Sequence, residues 1–168
     1  MGEAMEFMEV GWAMSVNHTW ASIGFEQEFD DPVVIAQHLS YYGGNSAVIR
    51  VANVTSNGFE LRVVEPSVRD DIHTLEYVGW MAIEAGTWRL PDGTIIEAGK
   101  YSTTSTVGRN VSPDIWDQIT LSASFPGADP IVLSQPMSAY DMAADARFLK
   151  TRMYGLRDSD GVFYLALE

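Results

Sequence analysis

Ser46 to Glu65 reads S-A-V-I-R-V-A-N-V-T-S-N-G-F-E-L-R-V-V-E. Val48, Ile49, Val51 and Val54 supply β-branched bulk, and Thr55-Ser56-Asn57-Gly58 is a cluster of turn formers in which Asn-Gly can take a positive φ. Phe59, Leu61 and Val63 then alternate with Glu60, Arg62 and Val64. Two strands folded back on each other account for all of this. The polar residues of the hairpin mark its wet face and do not form an active site, so the stretch speaks to fold and leaves function to the rest of the chain.

Strand signals recur on both sides of the hairpin. Met5 to Val16 mixes apolar and acidic residues; its Met and Glu content suits a helix, but Val10-Gly11-Trp12 inside it favours a strand. Trp20 to Phe25 alternates, Glu26 to Asp31 is an acidic loop closed by Pro32, and Val33 to Ser40 is a continuous apolar run of the kind found in buried strands. After the charged connection Pro66 to Asp71, His73 to Glu84 alternates again. Trp88 to Leu90 and Thr94 to Glu97 flank Pro91-Asp92-Gly93 as a second, smaller hairpin. Trp116 to Ser124, Ile131 to Ser138, Ala146 to Met153 and Val162 to Glu168 read as four more strands, and only Asp141 to Lys150 carries a helical pattern. Short strands separated by turn clusters give an all-β fold of antiparallel β-sandwich type.

An internal repeat organises these strands. Trp20, Ile23, Phe29, Pro32-Val33-Val34-Ile35, Ser40, Tyr42, Gly58-Phe59 and Glu65 recur as Trp116, Ile119, Phe125, Pro130-Ile131-Val132-Leu133, Ser138, Tyr140, Gly161-Val162-Phe163 and Glu168. Differences in length fall where loops belong. The expected organisation is an N-terminal strand over residues 1–16, a first sandwich repeat over 17–100, a Ser/Thr-rich linker over 101–115 and a second repeat over 116–168. Val10-Gly11-Trp12-Ala13-Met14 resembles Val78-Gly79-Trp80-Met81-Ala82, so the N-terminal strand is expected to complete the second half. The alternative is that it belongs to an upstream repeat or pairs with a neighbouring molecule.

The chain has 168 residues, a net charge of −13, 46% hydrophobic residues and no cysteine. Such acidity disfavours nucleic acid and anionic membranes as partners, and the lack of Cys excludes disulfides and thiolate metal centres. No apolar run is long enough to span a bilayer and no basic n-region opens the chain. The expected setting is a secreted or extracellular module of a longer chain.

Trp20 to Val34 (W-A-S-I-G-F-E-Q-E-F-D-D-P-V-V), Ala47 to Val63 (A-V-I-R-V-A-N-V-T-S-N-G-F-E-L-R-V) and Val78 to Ala82 (V-G-W-M-A) resemble the H-type lectin module. The resemblance covers about Trp20 to Ala85 and reaches the second half only through the repeat. It implies a six-stranded antiparallel sandwich, frequently trimeric, that binds galactose-type sugars through loops at subunit edges. The matching residues are core and turn positions, so no ligand residue carries over, and fold alone does not give function.

Sugar sites combine a flat aromatic with amide, carboxylate or imidazole groups. Tyr41 and Tyr42 with Asn45 have that composition, Tyr140 and Asp141 occupy the corresponding loop of the second half, and Asp70 with His73 belongs to the densest polar cluster, Asp70-Asp71-His73-Glu76. Read blandly, the first is an ordinary turn and the last a solvated loop running onto the outer face of a strand. Asp158-Ser159-Asp160-Gly161 opens like a calcium loop but lacks its remaining ligands, so no cofactor is indicated. His18, His38 and His73 stand at no metal-pair spacing, and His38 reads as a satisfied core histidine. Asn17, Asn53 and Asn110 begin sequons. The leading expectation is a non-catalytic carbohydrate-binding module acting alone or as a homo-oligomer. A structural or assembly module of a large extracellular protein is the alternative, and a glycan-active enzyme with paired carboxylates stands behind both.

Overall fold

The computed structural model describes residues 6–38, 40–108, 113–125, 130–138, 149–155 and 161–168. Among them every regular element is a strand, and every strand pairing is antiparallel. The chain divides into two compact units, residues 1–84 with 135–149 and residues 85–134 with 150–168.

The first unit is built from β1 (Met8–Val16), β2 (Ala21–Gly24), β3 (Pro32–His38), β4 (Val48–Thr55), β5 (Gly58–Val64) and β6 (Glu76–Glu84). They form two three-stranded sheets, β1-β6-β3 and β2-β5-β4. The hairpin expected from Ser46 to Glu65 is β4 and β5, in register from Val48 opposite Val64 to Ala52 opposite Glu60. Within the Asn-Gly pair the positive φ is that of Gly58, at 159°, and a further one, 49°, falls on Asn53 inside a bulge between Ala52 and Thr55. Asparagine tolerates that left-handed backbone.

The inward phases of the two sheets supply one core, including Val34, Ala36, Val51, Phe59, Leu61, Val63, Val78, Trp80 and Ala82. At its centre Phe25, Phe29, Phe59 and Trp80 pack ring against ring, with centroids 5.0 to 6.0 Å apart. Each such side chain buried on folding stabilises by roughly 1.5–3 kcal/mol.

The N-terminal strand does not complete the second half. β1 pairs with β6 of the first unit, Gly11 opposite Trp80 and Trp12 opposite Gly79. The two Val-Gly-Trp triplets therefore match because they face each other, each glycine opposite the other strand's tryptophan. A Cβ on Gly11 would lie 2.6 Å from Trp80 Cε2, so the inward ring fits only over a bare backbone.

The second unit contains β7 (Gly86–Arg89), β8 (Ile95–Ala98), β9 (Asp117–Thr120), β10 (Thr151–Tyr154) and β11 (Val162–Leu167). Its sheet β9-β11-β10 has the strand order of β2-β5-β4, and Ile119 faces Phe163 as Ile23 faces Phe59. Hydrogen bonds outside the ladders recur as well. Phe25 N donates to Asn57 O at 2.9 Å and Leu121 N to Gly161 O at 2.7 Å; Val63 N donates to Asn17 O at 2.8 Å and Leu167 N to Ser105 O at 2.9 Å. The register makes Leu167 the counterpart of Val63, so Glu168 does not correspond to Glu65. Glu168 instead exchanges backbone bonds with Lys150.

Residues 130–138 form no strand, contrary to the reading of Ile131 to Ser138. Pro130 and Pro136 cannot donate to a ladder. Gln135 to Ser138 belong instead to the first unit, where Gln135 Nε2 donates to Ile49 O at 2.9 Å, Arg50 donates to Ser138 O at 2.6 Å and Met137 packs against the core. Most of the helical pattern at Asp141 to Lys150, together with Tyr140, lies outside the described residues.

Gly11→Ala is expected to lower stability by about 1–3 kcal/mol, the usual cost of forcing bulk into a packed site. Urea unfolding followed by tryptophan fluorescence measures it, and a midpoint equal to that of the parent would contradict the reciprocal glycine–tryptophan packing.

Candidate functional site

The loop Ser40 to Asn45 crosses the end of the first sandwich, where β6 begins at Glu76 and β5 has just ended at Val64. Glu76 shares the inward phase of β6 with Val78, Trp80 and Ala82, and this places its carboxylate in the interior. Glu65 and His73 are buried beside it. The cluster read from sequence as a solvated loop and outer strand face is thus, at His73 and Glu76, an interior network.

Its geometry is closed. Ser40 Oγ donates to Glu76 Oε2, Tyr42 N donates to Oε1 at 3.0 Å and Gly43 N donates to Oε1 at 2.7 Å. Tyr77 N in turn donates to Ser40 Oγ at 2.7 Å. His73 lies between two carboxylates, Nδ1 at 2.7 Å from Glu65 Oε1 and Nε2 at 3.3 Å from Glu76 Oε1. Asn45 Nδ2 donates to both oxygens of Glu65 at 3.1 and 3.0 Å, and His18 Nδ1 donates to His73 O at 3.2 Å. A Cβ on Gly43 would meet the His73 ring at 2.5 Å, so the loop approaches the imidazole only through glycine.

Burial pushes the Glu76 carboxyl up, but the Ser40 hydroxyl, the Gly43 and Tyr42 amides and His73 outweigh it and hold it below its ordinary 4.5. His38 is held below 6.5, first by burial and then by His73, against the pull of Glu76. Its ring lies 6.4 Å from that of His73, and its buried Nε2 has no hydrogen-bond partner among the described residues. His38 is therefore not the satisfied core histidine that its apolar surroundings suggested.

The structure thus brings Asn45 and His73 together, through Glu65, with their polar atoms turned inward. Asp70 stays exposed, where its Oδ1 accepts from Ile72 N at 3.2 Å. Tyr41 and Tyr42 point outward, 81% and 65% exposed. Tyr140 and Asp141 lie outside the described residues, as do Asp158 to Asp160. Sequence reading missed the roles of Ser40 and Glu65; the signal for Glu65 was its position directly after the buried Val63-Val64 pair. Among the described residues no group of three or more His, Asp or Glu side chains is arranged to hold a metal ion.

Aromatic side chains turned outward at this end contact one another. Tyr77 stands edge-on to both Tyr42 and Trp12, with ring centroids 5.8 and 6.1 Å apart. The arrangement offers apolar contact and rigid loop backbone, with most of the neighbouring polar groups already paired.

No family model matches the chain, and no solved structure matches it. It is 36% identical over 128 residues, 71% of its length, to a stretch of halomucin from Haloquadratum walsbyi (strain DSM 16790 / HBSQ001). The chain spans 1% of the length of that relative.

The network makes stability depend on pH. His38 and Glu76 both have folded-state pKa values below their ordinary ones, so each contributes stability that is full above the ordinary value and lost as pH falls through the folded one. Stability is expected to decline in two stages on acidification, the first beginning near 6.5 and the second below 4.5. Urea midpoints across that range check this. His38→Leu should remove the first stage and, by deleting an unpartnered buried nitrogen, add roughly 1 kcal/mol near neutrality; Glu76→Gln should weaken the second stage.

Proposed function

We propose that the chain is a non-catalytic structural or assembly module of a large extracellular protein. One observation carries the reading. Asn45, His73, Glu65 and Glu76, the polar groups nearest the Ser40 to Asn45 loop, are bonded to one another inside the fold, while Tyr41, Tyr42, Tyr77 and Trp12 are turned outward beside it. Such a surface suits contact with another protein surface better than hydrogen bonding to hydroxyls. The similarity to a short stretch of halomucin supports both the large parent and, through the mucin in that name, the extracellular placement.

Carbohydrate binding, galactose-type sugars included, is the second reading, and Tyr41 and Tyr42 favour it. Two exposed rings stand on a loop whose backbone is fixed by Glu76, which is how a stacking platform for a sugar face is preorganised.

A glycan array followed by isothermal titration of its best hits separates the two. The assembly reading expects no glycan to bind at millimolar concentration. Binding that disappears in Tyr42→Ala, with the fold intact by circular dichroism, would establish the carbohydrate reading in its place.

A further inference from the structure

We infer that the open side of the second unit, along β10, is a docking site for an extended, uncharged, methionine-bearing segment supplied by another module of the parent protein. The inference rests on the assembly reading and names what the module holds.

The first unit shows what such a segment does. β3 and β4 are outer strands of its two sheets and lie against each other, so their free edges flank one open side of the sandwich. Gln135 to Ser138 close that side. Gln135 Nε2 donates to Ile49 O at 2.9 Å, Arg50 donates to Ser138 O at 2.6 Å, and Val34 N donates to Met137 Sδ at 3.2 Å, with Met137 packed against the core. Along the covered strand Ile49, Arg50, Val51 and Ala52 are all buried.

The second unit has the same strand without the cover. Thr151 lies opposite Leu167 as Ile49 lies opposite Val63, so Thr151, Arg152, Met153 and Tyr154 are the counterparts of Ile49, Arg50, Val51 and Ala52. Arg152 is exposed, and Met153 and Tyr154 are 37% and 50% exposed. Met153, opposite Leu165, holds the inward place of Val51 and still meets solvent, as a side chain does where a sandwich is open at its side. Ser134 Oγ lies 2.5 Å from Thr151 Oγ1, so Ser134 stands by β10 where β3 stands by β4. Ile131 and Leu133, just before it, are exposed.

The groups that hold the segment in the first unit recur in the second. Lys150 and Glu168 exchange backbone bonds, and the alternation of an antiparallel ladder then turns the Thr151 carbonyl off the free edge of β10, as the Ile49 carbonyl is turned toward Gln135. Arg152 bonds Glu168 through Nε, which leaves its terminal nitrogens for an incoming carbonyl, the part Arg50 plays for Ser138. Met153 offers an adaptable apolar wall. The occupant's chemistry follows from these groups: an amide donor for Thr151 O, a carbonyl for Arg152, and between them a slim apolar side chain. Such a segment is uncharged, so the net charge of −13 does not oppose its approach. The contact is small and the segment loses freedom on docking, so binding is weak between free molecules and becomes effective where modules are tethered in one long chain.

A capped peptide of residues 133–138, Leu-Ser-Gln-Pro-Met-Ser, titrated into the isotope-labelled whole chain and followed by amide NMR shifts, tests this. Saturable shifts are expected at Thr151, Arg152 and Met153, with little dependence on salt. Arg152→Ala in the chain and Met137→Asp in the peptide should each weaken binding by about fivefold or more. The second substitution leaves the folded chain untouched. No saturable shift at millimolar peptide, shifts confined to Ile49 to Ala52, or binding indifferent to both substitutions overturns the inference. If the peptide fails and no glycan binds, the docking site is refuted and the assembly reading stands; a glycan bound in a Tyr42-dependent way refutes the assembly reading itself.

Discussion

Backbone N–H groups in the loops between strands have no ladder partner, and each needs an acceptor if the loop is to lie against a dry core. For three loops of the first unit the acceptors are glutamates of one sheet. Glu9 receives Glu26 N and Gln27 N, Glu84 receives Asp30 N and Asp31 N, and Glu76 receives Tyr42 N and Gly43 N. All three sit on the inward phase of their sheet, at or near strand ends. Part of the chain's acidity is thus structural, and the outward phase of the same sheet is left without charge. The closed polar network and the open apolar face are two results of one arrangement.

The second unit repeats the device. Glu97 on β8 receives Ser122 N and Ala123 N at 2.8 and 2.7 Å, in the loop after β9, as Glu9 on β1 serves the loop after β2. β8 is thereby the counterpart of β1, and its partner β7 comes before it in the chain, whereas β6, the partner of β1, comes after it. The two units share these carboxylate-to-amide bonds and a three-stranded sheet, and differ in the order in which one strand is supplied.

Much of this was legible in the sequence. The hairpin showed itself through β-branched residues around a turn cluster, and the repeat through apolar residues at matching intervals, because both signals are local or periodic. The place of β1 was not legible: Val-Gly-Trp occurs twice, and only the fold shows that the two copies lie across from each other. Nor was the inward direction of Glu76. On β6 both phases are apolar apart from the end glutamates, Val78-Trp80-Ala82 on one side and Tyr77-Met81-Ile83 on the other, so alternation could not say which faced the core. That ambiguity is the trace left in sequence by a sheet whose outer face is as apolar as its inner one. Residues 131–138 misled for a different reason, since their apolar run ends in a Pro-Met-Ser segment that packs on the first unit without joining a sheet.

The loop beside the exposed tyrosines is held by the interior carboxylate of Glu76, which takes up the Tyr42 and Gly43 amides. Amide hydrogen exchange of Tyr42 and Gly43 tests it most directly. Both amides are expected to exchange as slowly as ladder amides of β5 such as Leu61, and Glu76→Gln to speed them while leaving Leu61 protected. Exchange of Tyr42 and Gly43 at the rate of the exposed Ser67 and Val68 in the unsubstituted chain would contradict it.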